Sequence, residues 1–187
     1  MSAGTFQEVL SWAIGDGPVL TAAARASCLP TANVYTLPNN FFTVGKKVRI
    51  RAMGRISCAV TTPGTARFDV AFDGTANGDS GALNLNIVAK TTVPWWLEIV
   101  GTCRTVGNAA LGTIFWFGYF QSEAVIASPL PTVGGNGSLL FTHGGVGATA
   151  VGAGFDTTAA HAVDLRFTQT VATGSLTLQE YSLEAMN

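Results

Sequence analysis

Residues 46–60 read KKVRIRAMGRISCAV, and the order of that stretch decides the fold class. Val48, Ile50, Ala52, Ile56, Cys58 and Val60 alternate with Lys47, Arg49, Arg51, Met53, Arg55 and Ser57. A β-strand turns successive side chains to opposite faces, whereas no helix separates those two sets. One face is therefore apolar and meets a core. The other carries Lys47, Arg49, Arg51 and Arg55, a basic stripe made of four of the chain's ten Lys and Arg residues.

The same alternation recurs on both sides of this strand. Ala66, Phe68, Val70 and Phe72 alternate with Arg67, Asp69, Ala71 and Asp73, and Leu83, Leu85 and Ile87 follow after the loop DGTANGDSG. Further strands are expected at 95–103, 163–171 and 176–183, with shorter ones at 19–24 and 33–37. Residues 113–120, TIFWFGYF, are apolar on both faces. An antiparallel strand with one wet face does not read so, and left bare it is an aggregation hazard. Gly, Pro and Asn cut the strands apart, and residues 128–154 are expected to form a long loop. The expected class is all-β, an antiparallel β-sandwich of jelly-roll type with about eight to ten strands. Phe6, Val9, Leu10 and Ile14 have helical spacing, so residues 1–17 are expected to form a short helix or arm. Residues 18–187 would then form one sandwich domain.

Composition narrows the function classes. Of 187 residues only 11% are charged, against ~25% in ordinary soluble domains, while 48% are hydrophobic and the net charge is −1. No global charge draws the chain to nucleic acid or to a membrane surface. So little charge makes a poor surface for a solitary protein, which points to burial against other subunits. Cys28, Cys58 and Cys103 form no C-x-x-C pair, so no structural zinc site is expected. Reduced, buried thiols fit folding in a cytoplasm. The opening MSAGTFQEVLSWAIGDG lacks the basic region of a secretory signal, and no apolar run nears the ~20 residues that span a bilayer.

No motif yields a catalytic set. Gly78-Asp79-Ser80-Gly81 matches the nucleophile loop of trypsin-like proteases, and Thr158-Ala159-Ala160-His161 echoes their histidine segment. In that family the histidine precedes the serine; here the order is reversed, and Ala82 stands where a glycine is needed. Residues 145–150, GVGATA, fit a relaxed dinucleotide fingerprint, but no helix follows to receive a pyrophosphate. His143 and His161 lack a spacing that demands a metal. Asp69, Asp73 and Asp79 lack the regular oxygen spacing of a calcium loop. No enzyme activity, metal or cofactor is expected. Trp95 and Trp96 are adjacent, so one faces the core and the other faces away. With Phe115, Phe117 and Tyr119 they form the candidate subunit interface. The basic stripe is either a contact for phosphates, acidic glycans or an acidic capsid surface or a solvated face balanced by Asp69, Asp73 or Glu98. No aromatic residues interleave with it in sequence, which weakens a single-stranded nucleic-acid reading.

The segments LPNNFF at 37–42, TTPGT at 61–65, PWWLE at 94–98, TCRTVG at 102–107 and YSLE at 181–184, together with the strand at 45–57, resemble a family of small virion proteins of tailed bacteriophages. The resemblance spans roughly residues 30–187. It implies a jelly-roll decoration, head or tail-associated subunit, commonly a homotrimer. The expected function is a capsid decoration (cement) protein that binds and stabilises the assembled head as an oligomer. Its partners would be copies of itself and the major capsid protein or another virion protein, without nucleic acid or membrane. It would lie on the exterior of the particle. Phe6, Val9, Leu10 and Ile14 would be its docking residues. The alternative is a tail-tip or fibre module that binds a receptor glycan, with an exposed tryptophan beside polar groups as its mark.

Overall fold

The computed structural model describes residues 6–59, 63–127, 138–141 and 151–186. The chain forms β1 (Gln7–Ala13), β2 (Arg25–Ser27), a 3-10 turn at Thr31–Asn33, β3 (Tyr35–Leu37), β4 (Lys47–Cys58), β5 (Thr65–Phe72), β6 (Thr75–Asp79) and β7 (Leu83–Leu85). It continues with β8 (Lys90–Thr105), β9 (Thr113–Ser122), β10 (Val125–Ala127), β11 (Ser138–Phe141), β12 (His161–Gln169) and β13 (Ser175–Met186). One six-stranded sheet runs β1-β13-β4-β8-β9-β11. The other runs β10-β7-β5-β12-β2, with β3 also on β12 and β6 also on β5. The paired strands are antiparallel, and the two sheets stack as a sandwich, as the alternation required. The interior pairs β4·β13 and β5·β12 are nested in chain order, and the consecutive strands β8 and β9 lie side by side beyond β4. That order does not by itself establish the jelly-roll winding expected from the sequence.

The inner-face residues of β4 and β5 are those the alternation selected, whereas Ile87, grouped with Leu83 and Leu85, falls beyond β7 and is 65% exposed. Val48, Ile50, Ala52, Ile56 and Cys58 of β4 are buried, as are Ala66, Phe68, Val70 and Phe72 of β5. Phe68 lies at the centre, with ring centroids 5.3 Å from Trp95, 4.9 Å from Phe120 and 5.1 Å from Phe167. Each such fully buried ring contributes about 1.5–3 kcal/mol. Trp116 fits between the sheets because a side chain is missing on both sides of it. A Cβ on Gly78 would stand 2.7 Å from its ring, and one on Gly101 2.5 Å. Cys28, Cys58 and Cys103 are free and buried in this core.

The N-terminal segment departs from expectation. Residues 7–13 form not a helix but an edge strand on β13, with Ser11 opposite Leu183 and Ala13 opposite Tyr181. The helical spacing of Phe6, Val9, Leu10 and Ile14 spans too few turns to stabilise a helix by itself. The open edge of β13 offers a ladder of hydrogen bonds instead. A register shift between Val9 and Ser11 lets Leu10 turn towards the core while Val9 and Trp12 stay exposed. One short strand also shifted: Leu20 makes only an isolated bridge to Leu176, and the paired strand comes later, at Arg25–Ser27, while the strand expected at 33–37 is β3. Much of the loop expected at 128–154, with His143 and residues 145–150, lies outside the described residues.

Candidate functional site

The two outer faces of the sandwich differ sharply. On the seven-stranded sheet the charges are consumed in pairs. Arg25 Nε donates to Asp69 Oδ1 at 3.0 Å, Arg67 pairs with Asp79, and Arg166 Nε donates to Asp164 Oδ2 at 2.8 Å. Ser27 Oγ donates to the same Asp164 at 2.6 Å. The hydrogen bond to Asp69 raises the Arg25 guanidinium above its ordinary range, against the opposing effect of burial. Asp69 and Asp79 are thus engaged by arginines, and Asp73 Oδ2 lies 2.7 Å from His161 Nδ1. The three carboxylates weighed as an ion site are spread over separate partners. The protease-like residues are also occupied structurally: Ser80 Oγ accepts from Phe68 N at 3.0 Å, and His161 Nε2 lies 2.5 Å from the Asp156 carbonyl.

The six-stranded sheet presents a different surface, laid out in rows by the strand register. One row runs Trp12, Ser182, Arg51, Glu98, Tyr119. The next rows towards the chain ends run Glu184, Arg49, Val100, Phe117 and Met186, Lys47, Thr102, Phe115. In the other direction lies Glu180, Met53, Trp96, Gln121. Phe117 is 49% exposed and Trp12 59% exposed. The double-sided apolar strand at 113–120 is resolved in this way: Ile114, Trp116 and Phe120 fill the core, while Phe115, Phe117 and Tyr119 face outward.

The register brings together residues that looked separate in sequence. The basic stripe on β4 and the aromatic stripe on β9 share one face, two strands apart, or roughly 10 Å. Half of the stripe is neutralised, however. Arg49 Nε donates to Glu184 Oε2 at 2.8 Å, and Arg51 Nε lies 3.3 Å from Glu98 Oε2. Gln7 Nε2 and Ser182 Oγ also donate to Glu184. Lys47 and Arg55, at opposite ends, carry no such partner among the described residues. Of the balancing carboxylates considered from sequence, Glu98 serves, whereas Asp69 and Asp73 belong to the other sheet. Arg104 lies over the Phe115 ring, 5.0 Å from its centroid.

The candidate interface needs one correction. Trp95 is not available to a subunit contact: it is 2% exposed, and its Nε1–H donates to the carbonyls of Arg55 and Thr177. Trp96 is the outward member of the pair, meeting Tyr119 edge to face with centroids 4.6 Å apart. The docking set Phe6, Val9, Leu10 and Ile14 does not form one face either, since Leu10 points to the core while the others are exposed. Trp12, which belongs to the outer face, goes unnoticed in the sequence because residues 1–17 read at helical spacing rather than as a strand.

Beside Trp96 the sheet opens into a groove of about 840 Å³. It lies where β13 carries an extra residue, Gln179, between the paired Leu178 and Glu180. Gly54 lets the strands close up at that point, for a Cβ there would stand 2.0 Å from the Thr177 carbonyl oxygen. Met53, Arg55, Pro94, Trp96, Gln121 and Glu180 are among the residues lining it.

These features define the class: an all-β antiparallel sandwich with one self-neutralised face and one aromatic face. No protein-family model matches the chain, and no curated protein matches it. Among solved structures it is similar to a crystal structure of a protein of unknown function from Shewanella oneidensis MR-1, at 11% identity and a TM-score of 0.36, covering 96% of this chain and 78% of that one. A likeness of that size carries no argument about function.

Proposed function

We propose that this chain is a non-catalytic structural subunit of a phage particle, of the capsid-decoration kind, which assembles through the exposed face of its six-stranded sheet. The observation that carries this reading is the exposure of Phe117 and Tyr119 beside Phe115 and Val100. An exposed aromatic patch, with charges only at the Phe115 end, is the composition of an interface core. The low overall charge supports it, as does the internal pairing of charges on the opposite face. The family resemblance supplies the particle. Binding only the assembled lattice would stabilise that lattice, and an oligomer would add its weak contacts through effective concentration. Decoration would then need no cofactor and no nucleic acid.

The test is antibody labelling of the phage particles, imaged by cryo-electron microscopy. Label at many points over the head is expected. Absence of label from the particle overturns the reading, and label confined to the tail tip replaces decoration by a tail role. In parallel, Phe117→Arg should shift the purified chain to smaller species in sedimentation velocity; an unchanged distribution removes this face from the interface.

A further inference from the structure

We propose that the groove beside Trp96 binds a neutral saccharide. The inference goes beyond the assembly reading and does not rest on it, because the groove lies at the end of the sheet away from Phe115 and Phe117.

Its volume, about 840 Å³, falls within the ~300–1,000 Å³ typical of small-molecule sites. A pyranose ring offers two kinds of surface: apolar C–H faces and a rim of hydroxyls. The first is matched by an aromatic plane, the second by side chains that can donate and accept in pairs. The groove supplies both. The Trp96 indole forms its wall, half-buried and held by Tyr119 at 4.6 Å. It is therefore oriented before any ligand arrives, which lowers the ordering cost of binding. Around it stand Arg55, Gln121, Gln179 and Glu180. Among the described residues the polar ends of these four make no hydrogen bond or ion pair, in contrast to Arg49, Arg51 and Lys90, each of which is paired.

The charge balance selects the class of sugar. Arg55 is the one cation lining the groove, and it shares the lining with Glu180 and with Glu123, the latter tied to Lys90 Nζ at 2.9 Å. A sulfated or uronic polymer, or a phosphate, would meet carboxylates there. A neutral ring can use the guanidinium, two amides and a carboxylate together as donors and acceptors. The site also rests on fixed backbone: the Gln179 bulge and the Gly54 approach set its floor, so it is preformed.

The experiment is saturation-transfer difference NMR on the full chain with a panel of neutral trisaccharides of the gluco, manno, galacto and N-acetylglucosamine series. At least one should receive saturation, most strongly at ring C–H protons. Trp96→Ala and Gln121→Ala should each weaken its binding about tenfold or more, the loss of one stacking or hydrogen-bonding anchor. Gln121 is exposed, so its variant keeps the result interpretable if Trp96→Ala is less stable. Phe117→Arg should leave sugar binding unchanged. The proposal is overturned if no trisaccharide of the panel receives saturation, if binding survives Trp96→Ala intact, or if a sulfated trisaccharide binds as well as its neutral parent. The assay uses the isolated chain, so its failure is distinguishable from failure to find the protein on a particle.

Discussion

Trp116 on one sheet donates its buried indole N–H to Asn77 Oδ1 on the other, at 2.8 Å. The bond crosses the sandwich between its two sheets. Asn77 Nδ2 then donates to the Ala153 carbonyl at 2.6 Å, so the amide is used at both ends. Replacing it strands a donor and an acceptor in low dielectric, where each unsatisfied group costs about 1–3 kcal/mol. Asn77→Ala is expected to lower stability by at least that much, read from the midpoint of urea unfolding. An unchanged midpoint would mean that water takes over both bonds.

Tyr181 presents the opposite case. Its ring is buried and its hydroxyl finds no hydrogen-bond partner among the described residues. Burial first, and the nearby charge of Asp164 second, push its ionisation well above the ordinary tyrosine range. Tyr181→Phe removes the unsatisfied oxygen and keeps the ring. The variant should be as stable as the parent or more stable by up to about 1 kcal/mol, measured by thermal unfolding. A marked loss would reveal a partner for the hydroxyl.

Gly54 should tolerate no side chain. The 2.0 Å approach of a Cβ to the Thr177 carbonyl is to backbone, which cannot swing aside. Overpacking of this kind costs about 1–3 kcal/mol, and Gly54→Ala should also distort the groove floor. Hydrogen exchange should rise at the β4–β13 ladder near the bulge and remain unchanged at β5–β12.

The Asp73 carboxyl supplies a pH dependence. Burial, the largest single influence, disfavours its charged form. The Ala162 N–H, donating at 2.8 Å, and His161 outweigh that effect and hold the carboxyl below its usual range. A folded-state value below the unfolded one adds stability that is present above the unfolded value and lost as pH falls through the folded one. Unfolding midpoints should therefore fall with acid below about pH 4, and Asp73→Asn should flatten part of that slope. A slope identical in the variant would assign the acid sensitivity to other carboxylates.

Strand parity made most of this fold legible. The alternation of β4 and β5 named their buried residues, and the reading of adjacent tryptophans as one inside and one outside is what the structure has. Which one faced out was not legible, because parity alone does not say where the neighbouring sheet lies. A bulge and a misleading spacing were the main obstacles. The extra residue at Gln179 reverses parity locally and hides the groove, while the helical spacing of the N-terminal segment hides Trp12. The union of the basic and aromatic stripes on one face also depended on pairing between distant strands, through β8, which no local pattern encodes. At the N-terminus a helical spacing lost to an unpaired strand edge, a tertiary choice that local spacing does not record.

The pairing of Gln7 with Met186 has a practical consequence. Both ends of the described chain leave the sandwich at one corner, in the row of Lys47 and Phe115 and several residues along the strands from Trp96. A tag or enzyme attached beside Gln7 or beside Met186 would emerge from that same corner. Joining Met186 to Gln7 by a short linker and cutting the chain in an exposed turn should give a permuted protein with its sheets intact. Display of cargo would then be possible with the saccharide groove left open.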